Sequence, residues 1–159
     1  MVVRLADSEI EVAKCFPLMV QLRPHLTPQS FAESVARQQE SGYRLAYVED
    51  AEVVRAVAGF RVMEMLASGR SLYVDDLVTD ETERSKGYGG ALLDWLSTQA
   101  KSQGCSQLQL DSGVHRFAAH RFYFQKRMHI SDFHFALSLG DLMSDKLHLA
   151  YRTEGQGRQ

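Results

Sequence analysis

Apolar residues recur along the chain with two periods, and the switches between them predict the elements. Val2, Val3 and Leu5 open a short strand. Ile10, Ala13, Cys15, Phe16, Met19, Val20 and Leu22 then return at helical spacing. Asp7 or Ser8 can cap that helix, and Glu9 and Glu11 suit its first turn. Pro17 falls inside the pattern and predicts a kink or break. After a loop at 23–28, a second helix starts near Pro28, where proline fits the first turn, and stops at Ser41-Gly42. Residues 43–48 and 53–62 read as strands flanking a turn at 49–52, which makes an antiparallel hairpin. Gly69-Arg70 turns the chain into another strand at 71–79. A helix runs from Gly87 to a stop at Gln103-Gly104, followed by a strand at 107–111 and a helix from about Phe117 to Lys126. Phe133, Phe135 and Leu137 alternate and predict a last strand within 130–139, whereas 139–151 fits neither period clearly.

Strands joined by hairpins are antiparallel, while the strand–helix–strand unit around Gly87 calls for a parallel pair. The expected fold is α/β (α+β): one mixed, mostly antiparallel sheet flanked by helices. A chain of 159 residues is long enough for one domain with a real core. A net charge of −2 gives no electrostatic reason to expect nucleic acid as a partner. No apolar run is long enough to predict a membrane partner, and Arg4, Asp7, Glu9 and Glu11 interrupt any signal-peptide core. Cys15 and Cys105 sit singly in apolar segments, so free thiols and a cytoplasmic location are expected. The polar tail 153–159 is expected to fray.

The candidate chemistry begins at Glu83-Arg84-Ser85-Lys86-Gly87-Tyr88-Gly89-Gly90. Two cations give way to glycine just as a helix starts, which leaves bare backbone N–H groups at the positive end of the helix dipole. Such an end suits a phosphate. A Walker loop is excluded, because Ser85-Lys86-Gly87 reverses its Gly-Lys-Ser/Thr order. A dinucleotide fingerprint is excluded, because Leu92 stands where its third small residue belongs. Arg84-x-x-Gly87-x-Gly89 does fit Arg/Gln-x-x-Gly-x-Gly/Ala, and this resembles the pyrophosphate loop of the GNAT superfamily of N-acetyltransferases. Further on, Ala119, Phe122 and Tyr123 match the superfamily's Asn-x-x-Ala-x-x-Phe-Tyr-x-x-x-Gly-Phe motif. Arg116 replaces its Asn, and Arg127-Met128 replaces its Gly-Phe. Arginine in the left-handed turn that the glycine supplies would be strained by about 1–2 kcal/mol, so a differently built turn is expected there.

The resemblance spans about residues 2–138, which gives a domain at 1–138 and an extension at 139–159 disordered at its end. It implies acetyl-CoA as co-substrate and direct attack of a primary amine, on a small molecule or a peptide, upon the thioester. It also implies that Leu77, Val78 and Thr79 offer backbone groups to the pantetheine arm. Arg84, Ser85, Lys86, Gly87, Tyr88, Gly89 and Gly90 would hold the pyrophosphate, with Lys86 alternatively an ordinary solvated cation. Arg116 or His120 would stand in for the missing amide. Tyr123 would be the acid that protonates the departing thiolate; its alternative is a core tyrosine packed with Phe117, Phe122 and Phe124. Asp75 and Asp76 are candidates for the base, with Asp76 preferred. Neighbours on a strand face opposite sides, so one would meet the cleft and the other a buried partner or solvent; the alternative is a strand-end pair held by Arg61 or Arg70. His115 and His120, five apart, do not share a helical face, and no metal is expected. The first two helices and the hairpin strands would shape the acceptor side, bringing Arg23, His25, Phe31, Tyr43 and Tyr47. A homodimer through a sheet edge is left open. The alternatives are a non-catalytic CoA-binding sensor or interaction module and a binder of nucleotides or phosphoproteins.

Overall fold

The computed structural model describes residues 1–137 and 139. Residues Met1–Lys126 form one compact unit, built as β1 (Val2–Leu5), α1 (Glu9–Leu22), α2 (Pro28–Gln39), β2 (Arg44–Asp50), β3 (Val53–Met65), β4 (Gly69–Thr79), α3 (Tyr88–Ser102), β5 (Gln107–Leu110) and α4 (Phe117–Gln125). The sheet order is β1-β2-β3-β4-β5, antiparallel throughout except for the parallel β4–β5 pair. The mixed, mostly antiparallel architecture is therefore the one the patterning predicts. Among the described residues, no helix is long and apolar enough to cross a membrane.

Helix α1 starts on a capping box: the Ser8 hydroxyl accepts from the Glu11 N–H, and the Glu11 carboxylate accepts from the Ser8 N–H. It then runs through Pro17 without interruption, so the expected break does not occur. One missing ladder donor is outweighed by the cap and by the buried stripe Val12, Cys15, Leu18 and Met19. Ile10, assigned to that stripe by spacing, is exposed. Helix α2 is capped by Thr27 and buries Phe31 and Val35. Ser8→Ala is expected to destabilise the fold by about 1 kcal/mol, read as a lower denaturation midpoint with an unchanged slope.

These two helices cover one sheet face, where Leu45, Tyr47 and Val57 join Cys15, Met19 and Phe31 in a continuous core. Phe60, three residues from Val57 on β3, meets Trp95 of α3 edge-on at 6.0 Å, so α3 covers the opposite face. Both cysteines are free; burial pushes the Cys15 thiol up to about 12, while Cys105 is only half-buried.

Residues 127–137 belong to a second unit and contain no strand, which overturns the strand expected within 130–139. Ile130, Phe133, Phe135, Leu137 and Leu139 are all exposed. Alternation alone does not make a strand, because its backbone groups need a ladder partner. The turn after α4 also differs from expectation: Arg127 adopts φ 62, so the left-handed turn is made with arginine in place of glycine. The readings for 140–159, including the frayed tail, lie outside the described residues.

Candidate active site

The site grows out of a mismatch in strand length. The β4–β5 pairing ends at Val74 opposite Leu110, while β4 continues to Thr79 with β3 on its other side only. The end of this free edge, at 77–79, borders an open cleft of about 1140 Å³. Leu77, Val78 and Thr79 line it beside Arg84, Ser85 and the start of α3, with Arg116, Phe122 and Tyr123 on the α4 side.

The loop before α3 reaches this cleft through two left-handed residues, Ser85 at φ 69 and Gly87 at φ 89. Glycine takes that conformation freely, whereas serine there costs about 1 kcal/mol. Gly87 caps α3 with no side-chain bond, so no cap answers the N–H groups of Tyr88, Gly89 and Gly90. Gly89 is needed for close approach: a Cβ there would lie 2.8 Å from the Thr79 Oγ1. Tyr88 also lines the cleft, and its hydroxyl donates to Asp50. Of the two loop cations, exposed Arg84 lines the cleft; Lys86 does not, and pairs instead with Glu83. Arg55 braces the same loop, lying 3.8 Å from Asp80 and 3.6 Å from Glu83.

Tyr123 lines the opposite wall and has no hydrogen-bond partner among the described residues. Burial raises its phenol above the usual 10, with the Arg116 charge opposing. Of the expected core set, Phe122 packs on Tyr123 with ring centroids 5.5 Å apart, while Phe117 and Phe124 are exposed. His120 is outside the cleft lining: its Nε2 lies 3.0 Å from the Gly113 carbonyl and its ring meets Phe117 edge-on. Facing a carbonyl, that nitrogen is the donor, so His120 pins the loop entering α4.

Asp75 and Asp76 also lie outside the cleft lining, and they do not face opposite sides. Gly59 pairs with Asp76 and Phe60 with Val74, so Asp75 is the extra residue of a β-bulge. The bulge cancels the alternation and brings both carboxylates into one cluster. Asp76 accepts from Arg23 Nε at 2.9 Å and from the Tyr43 hydroxyl at 3.1 Å. Asp75 accepts from Arg61 Nε at 3.0 Å, and the Arg61 guanidinium lies 5.5 Å above the Tyr43 ring. Burial raises the Asp75 carboxyl against the pull of Arg61, and burial together with both carboxylates keeps Tyr43 protonated. Gly59 makes room for this arrangement, because a Cβ would fall 1.9 Å from the Tyr43 hydroxyl oxygen. Of the other expected acceptor-side residues, Phe31 and Tyr47 are core and His25 is exposed.

Two cleft residues escaped the sequence reading. Lys126, at the end of α4, holds both Asp94 carboxylate oxygens at 2.8 and 2.7 Å and reaches the Gly90 carbonyl at 3.3 Å. Neither belongs to a motif, and their pairing depends on how α3 and α4 meet.

The model of the Acetyltransferase (GNAT) family matches residues 11–129. A Bacillus subtilis (strain 168) protein described as an uncharacterized N-acetyltransferase, YhdJ, is 36% identical over 120 residues, covering 75% of this chain and 84% of that protein. Among solved structures, a transcriptional regulator from Bacillus halodurans C-125 superposes with a TM-score of 0.77 at 19% identity, covering 87% of this chain and 99% of that one. The ribosomal-protein-alanine N-acetyltransferase of Brucella melitensis biovar Abortus 2308 superposes with a TM-score of 0.75 at 17% identity, covering 87% and 100%. At such identities these two show a shared fold.

Proposed function

The chain belongs to the GNAT family of acetyltransferases, and from that premise we propose that its cleft takes acetyl-CoA and passes the acetyl group to a primary amine of a small molecule or peptide. One observation carries the donor assignment: a free β4 edge runs into an uncapped helix start, opposite a lone tyrosine hydroxyl.

The amides of a pantetheine arm would extend the ladder that β5 abandons at Leu110, along Leu77, Val78 and Thr79. Its diphosphate would meet the bare N–H groups of Tyr88, Gly89 and Gly90, with Arg84 supplying charge. Ser85 and Gly87 serve by their backbone conformation, and Arg116 adds charge at the far wall. Lys86 and His120 act indirectly, by bracing the two loops that frame the cleft.

In the reaction, a neutral amine forms a C–N bond to the thioester carbonyl and the C–S bond breaks. The thiolate takes the Tyr123 proton, and solvent returns one to the phenolate. Burial favours this role, because it raises the phenol and so favours its protonated, proton-donating form. Asp75 and Asp76 are read as positioning residues. Each carboxylate is already answered by a guanidinium, so together they fix the bulge that ends the β4–β5 pairing. The amine's proton then leaves through water.

The test is calorimetric titration of the folded protein with acetyl-CoA, with ATP as control, followed by detection of free thiol over a panel of amines. Binding of acetyl-CoA with thiol release on some amine is the expected result. No binding by a folded protein would reject the donor assignment, and binding without turnover on any amine would point to a sensor.

A further inference from the structure

The charge along the cleft is uneven. Arg84, Arg116, Arg121 and Lys126 line it, against the carboxylates of Glu81 and Asp94 only, in a chain whose net charge is −2. Arg84, Arg116 and Arg121 have no carboxylate partner among the described residues, so Lys126 alone is neutralised in place. Its ammonium sits where α3 begins. The Gly90 carbonyl accepts from it, and a Cβ on Gly90 would lie 3.3 Å from its nitrogen, so glycine at that position leaves room for the cation. Gly90 also carries one of the bare N–H groups at the start of this helix.

We propose that Lys126 is a phosphate-binding residue for the nucleotide half of the acetyl donor, and that Asp94 is its place-holder in the free protein. The inference rests on the donor reading above and deepens it. The Lys126 ammonium is largely shielded, while the Asp94 carboxylate is 67% exposed, so the carboxylate is hydrated at little cost once released. A phosphate offers more charge and more acceptor oxygens than a single carboxylate. Donor binding therefore exchanges one anion for another at an ammonium that is already in position. The charge cost of leaving Lys126 bare in the empty cleft is avoided.

Two substitutions separate this role from simple bracing of α4 against α3. Lys126→Met removes both the bridge and the cation, whereas Asp94→Asn removes the bridge and leaves the cation free. Calorimetry of the full chain with CoA should show binding weakened about tenfold in Lys126→Met, the size of one charge-assisted hydrogen bond. Asp94→Asn should tighten it about two- to fivefold. If both variants weaken CoA binding alike, the bridge is only a brace and the proposal fails. It also fails if Lys126→Met binds CoA as the unchanged protein does. Should Lys126→Met not fold, Asp94→Asn decides alone, since a brace predicts weaker binding and a place-holder predicts tighter. Repeating the titration with 3′-dephospho-CoA identifies the phosphate: a persistent loss in Lys126→Met assigns the diphosphate, and a vanished loss assigns the 3′-phosphate. A folded wild-type protein that binds no CoA rejects the donor reading itself, an outcome distinct from the others.

Discussion

Replacing Tyr123 with phenylalanine should lower kcat by about 10²–10³-fold, the range for losing one positioned proton donor, and leave the Kd for acetyl-CoA unchanged. The hydroxyl has no structural partner among the described residues, so its loss should leave the melting temperature nearly unmoved. The pH profile gives a second readout. Burial raises this phenol above its usual 10 and the acid form is the active one, so the basic limb of activity should lie on the alkaline side of an ordinary tyrosine's, with activity falling as the pH rises through the shifted value. That basic limb should be absent from the residual activity of the phenylalanine variant. An unchanged kcat, or a retained limb, would remove Tyr123 from the mechanism.

Gly59→Ala should be the most damaging single methyl group in the sheet. Its Cβ would lie 1.9 Å from the Tyr43 oxygen, 2.4 Å from Cζ and 2.7 Å from Cε2. Tyr43 is 2% exposed and has nowhere to retreat. Overpacking costs about 1–3 kcal/mol, and breaking the bond to Asp76 adds about 1.5–3 kcal/mol, so a loss of about 3 kcal/mol or more is expected in chemical denaturation. The cause can be isolated by adding Tyr43→Leu. If the steric argument is right, the alanine should cost far less in that background, with a coupling of about 1–3 kcal/mol. Additive losses would mean that Gly59 matters for another reason.

The glycine loop was legible in the sequence for a physical reason, whereas Tyr123 was singled out only by its likeness to a family motif. A left-handed cap and an uncovered helix start restrict residue type locally, and the restriction survives as Gly87, Gly89 and Gly90 at fixed spacing. The bulge at Asp75 could not be read, because a period-two argument assumes one residue per step on both strands. The clue was two adjacent acids in an apolar strand, and a bulge is one way for both to reach partners on one side. The Lys126–Asp94 contact left no local trace, since it depends on the packing of two helices. The strand expected within 130–139 failed for a related reason: side-chain alternation describes a face, and a strand also needs a neighbour. Pro17 failed the other way, with a local breaker overruled by a capping box and a buried stripe.

The abandoned edge of β4 has a cost besides its use. An unpaired strand edge is a template for any extended chain, including those of other molecules, and is a usual starting point for aggregation. Here that edge is only five residues long, a bulge offsets it at one end, and the walls of α3 and α4 enclose the rest. Shortness and enclosure thus guard the protein against pairing with its own kind.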